Sequence, residues 1–206
     1  MDHVPHSPYL RALGEQRARL HPALRTYFAA VPRGRVGIGE GTFSRVGTPR
    51  RWLWPVLRML QRHGVVHAGW HHDVPFTIRN QSIAGRAVSE RTLHLPDGDW
   101  TMQDSVSAGS HGRVLDQLGE PVTLAVAFEV AVDADALALR SRSVGIRLGG
   151  RRVRLPRFIA PVVRLRESAA KRGGSQRVSL TVDLPLIGRI YEYEGTFTYS
   201  IHEVDA

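Results

Sequence analysis

Residues 122–132 read Val-Thr-Leu-Ala-Val-Ala-Phe-Glu-Val-Ala-Val. Val122, Leu124, Val126, Phe128, Val130 and Val132 fill every second position, and the residues between them are mostly small or polar. A period of two puts the large apolar side chains on one face of a strand, the pattern of a sheet buried on one side. The alternation recurs on either side of this stretch. From Val74 onward, further strands are expected over 76–83, 86–95, 99–108, 137–148, 151–155, 162–168, 176–184 and 189–202. Asp97-Gly98 and Gly149-Gly150 read as two-residue hairpin turns, and residues 114–119 as a short helix or turn.

The N-terminal part has a different texture. Ser7-Pro8 is an N-cap followed by proline at the first helical position, with Tyr9, Leu10, Leu13 and Leu20 at helical spacing. Pro22 opens a second short helix carrying Leu24, Tyr27 and Phe28. Residues 36–46 are glycine-rich and β-like. Gly37, Gly39 and Gly41 do not make a phosphate loop, because Thr42 to Val46 continues as strand where a nucleotide fingerprint needs a helix. Thr48-Pro49 begins a third helix running to Arg62, with Leu53, Val56, Leu57 and Leu60 on one face and Arg51, Arg58 and Arg62 on the other. Pro55 either kinks it or marks its true start. Its two tryptophans and its arginines would suit a membrane interface; plugging the side or end of a sheet is the simpler reading.

The expected fold is therefore α+β: one domain, mainly antiparallel β, closed into a barrel or strongly curved sheet with N-terminal helices packed on it. The helical cap should span about 7–63 and the β-rich body about 74–204. A two-layer sandwich is the competing architecture.

Composition narrows the chemistry. The 206 residues contain no cysteine, which excludes disulfides, thiolate nucleophiles and Cys-based metal sites. No apolar run approaches a bilayer span and the N-terminus has no secretory pattern, so a cytoplasmic chain is expected, at most peripheral to a membrane. Of the 28 basic residues only Lys171 is a lysine. Schiff-base chemistry needs a buried lysine, and this one sits in a polar, glycine-flanked turn. The net charge of +9 is unevenly spread: from Arg140 to Arg177 there are 11 arginines and Lys171 against a single acid, Glu167. Such a block predicts an anion-attracting face for an anionic surface or a protein partner, centred on Arg147, Arg152 and Arg154 in the Gly149-Gly150 hairpin. Only Phe158 supplies an aromatic ring for stacking within it, so nucleic acid is not the expected partner.

Punctuation along the chain carries a resemblance. Ser7-Pro8-Tyr9, Leu20-His21-Pro22, Gly41-Thr42-Phe43 and Gly47-Thr48-Pro49-Arg50-Arg51-Trp52-Leu53 are similar to the opening of a bacterial family called domain of unknown function 4166. Val74-Pro75-Phe76, Leu118-Gly119, residues 155–161 (Leu-Pro-Arg-Phe-Ile-Ala-Pro), residues 184–189 (Leu-Pro-Leu-Ile-Gly-Arg) and Tyr193-Glu194-Gly195 agree with it. Some members of that family carry the domain behind a nucleotide-binding, dehydrogenase-like domain. The shared residues specify a backbone, and the resemblance implies no catalytic residue.

Three constellations remain. His63, His67 and His71 are four apart, with His72 and Asp73 adjacent, but Gly64 and Gly69 interrupt the helix that would bring them onto one face, and no metal is expected. No other cofactor motif is present. In the Asp97-Gly98 hairpin, Leu95 should face Trp100, Leu93 should face Met102 and Arg91 should face Asp104, putting an opposite-charge pair on an apolar face. On the last strand Tyr191, Tyr193, Phe197 and Tyr199 share one side, and Glu192, Glu194, Thr196 and His202 the other. Arg91, Asp104, Trp100, Met102, Tyr191 and Tyr193 are thus the candidate lining of a site for a small apolar or amphipathic, lipid-like molecule. The expected function is a non-catalytic binding barrel. An acid–base enzyme using Arg91, Asp104 and Tyr193, or an interaction domain docking through its basic face, are the alternatives.

Overall fold

The computed structural model describes residues 7–148, 150–170 and 174–204. Eleven strands follow one another: β1 (Arg35–Gly47), β2 (Trp70–Ile83), β3 (Arg86–Leu95), β4 (Gly98–Ala108), β5 (Arg113–Leu118), β6 (Leu124–Asp133), β7 (Ala136–Leu148), β8 (Arg151–Arg154), β9 (Val162–Ala169), β10 (Gln176–Leu184) and β11 (Gly188–Glu203). All pair antiparallel in the order β6-β5-β4-β3-β2-β1-β11-β10-β9-β7, and β6 pairs with β7 to close a ten-stranded barrel. β8 lies outside the ring as a flap on the far half of β7. The expected barrel is thus present, and the sandwich is not. Alternation within β6 works as read, since Val126, Phe128, Val130 and Val132 are buried inside while Glu129 faces out.

Helices plug both ends. The lower end, where the β2–β3, β4–β5, β6–β7 and β9–β10 connections lie, holds α1 (Pro8–Leu13), a 3-10 turn and α2 (Pro22–Tyr27). Each helix starts where predicted: the Ser7 hydroxyl accepts from Tyr9 N at 3.2 Å, and His21 Nδ1 accepts from Ala23 N at 3.3 Å. Leu13, Leu20, Leu24, Tyr27 and Phe28 are buried into the barrel. The upper end carries α3 (Trp54–Gln61), which starts later than expected, with Pro55 in its first turn. Leu53 and Leu57 point inward, but Val56 does not: it is exposed beside Trp52 and Met59. Leu53, Leu57 and Leu60, spaced i, i+4 and i+7, form the inward stripe, and Val56 falls off it.

The glycines of β1 have a packing explanation. A Cβ at Gly41 would stand 2.1 Å from the Thr196 carbonyl, and one at Gly37 would overlap the Tyr199 ring. These glycines let β1 approach β11 closely across a tightly curved wall.

Two expectations are corrected. Residues 113–118, expected as helix or turn, form β5 and complete the ring between β4 and β6. The β3–β4 turn is centred on Pro96-Asp97, so Leu95 pairs with Gly98, Leu93 with Trp100 and Arg91 with Met102. Pro96 fits the second position of a tight turn, where φ is fixed near −65°, and Gly98 takes the following positive φ of 117°. Asp104 therefore lies opposite Ser89, two residue pairs further along than Arg91 and on the same face. The slip is two residues, so every side chain keeps its face. Thr92 bonding Thr101 at 2.9 Å and His94 bonding Asp99 at 2.9 Å mark the new register on the outside. In the other hairpin, Arg147 faces Arg152 and Gly145 faces Arg154 as expected; Gly149 of its turn lies outside the described residues.

The ring is unevenly bonded. β7 pairs with β9 over only four residues, Leu137 to Arg140, and its upper half turns instead to β8. Where backbone pairing stops, the Ser141 hydroxyl accepts from Val163 N at 2.9 Å and donates to the Pro161 carbonyl at 3.4 Å.

Candidate functional site

Between the two helical plugs the barrel holds a partly open cavity of about 240 Å³. Its walls are mostly apolar, with Leu57 and Leu60 above, Tyr9, Tyr27 and Phe28 below, and Val126, Leu139, Val163 and Leu180 around the sides. Of the predicted ligand residues, Arg91, Asp104, Met102, Tyr191 and Tyr193 all line it. Trp100 does not. Its indole Nε1 donates to the Gln61 carbonyl at 3.1 Å and its ring stands 5.4 Å from that of His67, so it ties the top of the barrel to the end of α3.

Arg91 enters the cavity from β3 and is 8% exposed. Among the described residues no carboxylate lies in ion-pair contact with it; the guanidinium stands over the Tyr193 ring, 5.7 Å from the centroid. The expected cross-strand ion pair is therefore a diagonal electrostatic relation, a consequence of the turn position. Burial opposes the Arg91 charge, but Tyr193, Tyr27, Asp104 and Glu167 outweigh it and hold the pKa above its ordinary value. Asp104 is pushed up to about 6 by burial, with Arg91 pulling the other way.

Sequence reading missed two further acids. Asp116 reaches in from β5 and Glu167 from β9, and both line the cavity. Burial, and then the charge of Asp104, raises Asp116 well above its ordinary value, with Arg91 opposing. Glu167 is pushed up to about 8 by burial, opposed by Arg91 and reinforced by Asp104. At neutral pH the cavity thus holds a cationic Arg91, an ionised Asp104 and a Glu167 carboxyl that keeps its proton. Tyr193 is pushed up to about 12 by burial, so its hydroxyl remains a neutral donor. Asp116 was hidden by the mistaken turn. Glu167 stood out only as the lone acid in a basic block; its inward direction follows from the period-two pattern of β9.

That block does not form one uniform face. Arg142 pairs with Glu129, Arg164 with Asp183 at 2.8 Å, Arg166 with Asp133 and Arg177 with Glu194. The acids come from outside the block and neutralise its lower and middle parts. Arg147, Arg151, Arg152, Arg154 and Arg157, around the β8 flap, have no ion pair among the described residues. Lys171 lies outside the described residues.

The histidine cluster does not assemble. His67 is buried with its ring 5.1 Å from His71, and burial followed by that neighbour lowers it to about 4. His72 turns away to the Ser44 carbonyl, and among the described residues no three His, Asp or Glu side chains stand close enough to hold a metal ion.

No helix among the described residues is long and apolar enough to cross a membrane. No curated protein matches this chain, and no solved structure does. The family described as Domain of unknown function (DUF4166) matches residues 20–197, a span that takes in all eleven strands except the last turns of β11 and every cavity carboxyl described above. The chain belongs to that family.

Proposed function

We propose that the barrel is a binding module that holds a small amphipathic molecule in its interior. The observation that supports this most is the cavity itself, roofed by α3, floored by α1 and α2, and mostly apolar, with Arg91 and three carboxyls as its ionisable groups besides the tyrosines. A packed core of this size has no need of four ionisable groups, each of which costs several kcal/mol to desolvate. They suit a ligand whose apolar body fills the barrel and whose polar end meets them. Native mass spectrometry of the purified protein tests the reading. A retained small molecule, lost when Met102 and Leu180 are both enlarged to Trp, is expected; an empty barrel that also takes up no C8–C12 amphiphile would overturn it. Turnover of a captured ligand that disappears in Asp104→Asn would favour the enzyme alternative.

A second reading rests on the upper rim. Trp52 just before α3, Val56 and Met59 on it, Phe158 and Ile159 before β9, and Leu186 and Ile187 in the β10–β11 turn are all exposed at that end. Arg50 joins two of these groups, donating to the Arg189 carbonyl at 2.8 Å and to that of Ile187 at 3.1 Å. The unpaired arginines of the β8 flap flank them. Exposed apolar side chains edged by unpaired cations suit the surface of an anionic bilayer, from which an amphipathic ligand would be taken. Co-sedimentation with vesicles containing phosphatidylglycerol, lost with pure phosphatidylcholine and in Trp52→Ser/Phe158→Ser, is the expected result. Equal binding to neither or to both vesicle types would refute this docking.

A further inference from the structure

We propose that the polar end of the bound molecule is a primary ammonium group, held between Glu167 on one wall of the barrel and Asp104 and Asp116 on the other. The proposal rests on the cavity being a ligand site and names the ligand's chemical class.

Strand order supplies the geometry. β9 stands four strands from β4 around the ring by way of β5, β6 and β7, so Glu167 faces the cavity from the opposite wall to Asp104. On the near wall Ser89 and Asp104 are direct partners, and Asp116 lies on the neighbouring β5 two residue pairs along, on the same face. Asp104 acts electrostatically on both Asp116 and Glu167, and all three act on Tyr9 from the floor, which places the three carboxyls around one region.

Glu167 is 3% exposed and its Oε2 has no hydrogen-bond partner. Asp116 Oδ1 and Ser89 Oγ are likewise buried without one. Leaving such atoms unmatched costs roughly 1–3 kcal/mol each. A primary ammonium carries three N–H donors and no acceptor, which matches a wall of unmatched oxygens. The tyrosine rings of Tyr9, Tyr27 and Tyr193 add their negative faces. An anionic ligand fits poorly. It would bring a fourth acid to a site whose single cation, Arg91, already faces Asp104 and the Tyr193 ring.

Charge balance adds a measurable signature. Glu167 faces Tyr9 from α1, Tyr27 from α2, Arg91 from β3, Asp104 from β4 and Tyr193 from β11, and it keeps its proton at neutral pH. An ammonium ion arriving beside it takes over the role of that proton, so binding near pH 7 releases H⁺ to solvent.

Calorimetric titration of the full chain at pH 7 with octylammonium, octanoate and octanol, in two buffers of different ionisation enthalpy, tests this. Octylammonium should bind at least about tenfold more tightly than either comparator, with net proton release. Glu167→Gln should remove most of that advantage, bringing octylammonium affinity down to that of octanol. Asp116→Asn, a second variant, should do the same where Glu167→Gln does not fold. If octanol or octanoate binds as well as the amine, or if neither variant weakens amine binding, the ammonium assignment fails and the cavity reading stands. If none of the three binds, both fail.

Discussion

Replacing Glu167 by Gln should change how stability depends on pH more than it changes stability itself. In the unfolded chain this carboxyl titrates near its ordinary 4.5, whereas in the barrel it holds its proton up to about 8. Between those values the folded state binds more protons than the unfolded state, so stability falls as pH rises and levels off above about 8. At roughly 1.4 kcal/mol per pH unit the interval amounts to roughly 4–5 kcal/mol. Gln fills nearly the same volume and cannot ionise. At pH 5, where both the Glu167 side chain and its replacement are neutral, the two proteins should agree within about 1 kcal/mol. By pH 9 the variant should lead by several. Urea unfolding at pH 5, 7 and 9, comparing midpoints at a common slope, reads this directly. Asp104 and Asp116 titrate in both proteins and largely cancel in the difference. A difference that stays constant with pH, or a wild type that gains on the variant as pH rises, would refute the burial of Glu167 as a protonated acid.

Other substitutions probe the rest of the site and its frame. Arg91→Met should cost about 1–3 kcal/mol at pH 7, since Asp104 loses the cation that favours its ionised form and takes up a proton, and Arg91→Met/Asp104→Leu should recover most of that; equal losses in single and double variants would show the two groups to be independent. Gly41→Ala should lower the melting temperature far more than Gly34→Ala. The first Cβ meets the Thr196 carbonyl at 2.1 Å, while the second meets nothing within 4 Å and bears only the strain of a φ of 73°, a difference between about 2 kcal/mol or more and about 1. Trp100→Phe should lose about 1 kcal/mol with the bond to the Gln61 carbonyl and leave uptake of an amphiphile in the barrel unaltered, because the indole does not reach the cavity.

Strand positions and facing were legible because a period of two is a direct record of what is buried. β3 and β10 match their expected bounds residue for residue, and Tyr191, Tyr193 and Phe197 turn inward as their alternation demands. Arg91 and Asp104 were found for the same reason, since parity survives a two-residue slip. Their pairing was not, because Asp97-Gly98 is a strong turn signal and the weaker-looking Pro96-Asp97 prevailed through the fixed φ of proline. β5 was missed because Asp116 and Gln117 break the apolar rhythm, and Asp116 does so as an inward-facing acid. The basic block misled in the opposite sense: partners for Arg142, Arg164, Arg166 and Arg177 come from strands remote in sequence, which no local charge count can reveal. Barrel closure itself depends on β6 meeting β7 and β7 meeting β9, and the short last ladder leaves no trace in composition.

That short ladder has a kinetic consequence. Four residue pairs and one serine hydroxyl hold β9 to β7, whereas β1 and β11 share a ladder of twelve. Fluctuations of the wall concentrate where the fewest bonds must break together, so amide protons of Val162 and Val163 should exchange well before those at the centre of β1. Pro161 and Val163, at the margin of this seam, also line the cavity. For a molecule held in the barrel, the weakly laddered seam is the expected side route, and residence time should shorten in Ser141→Ala even though that hydroxyl does not line the cavity.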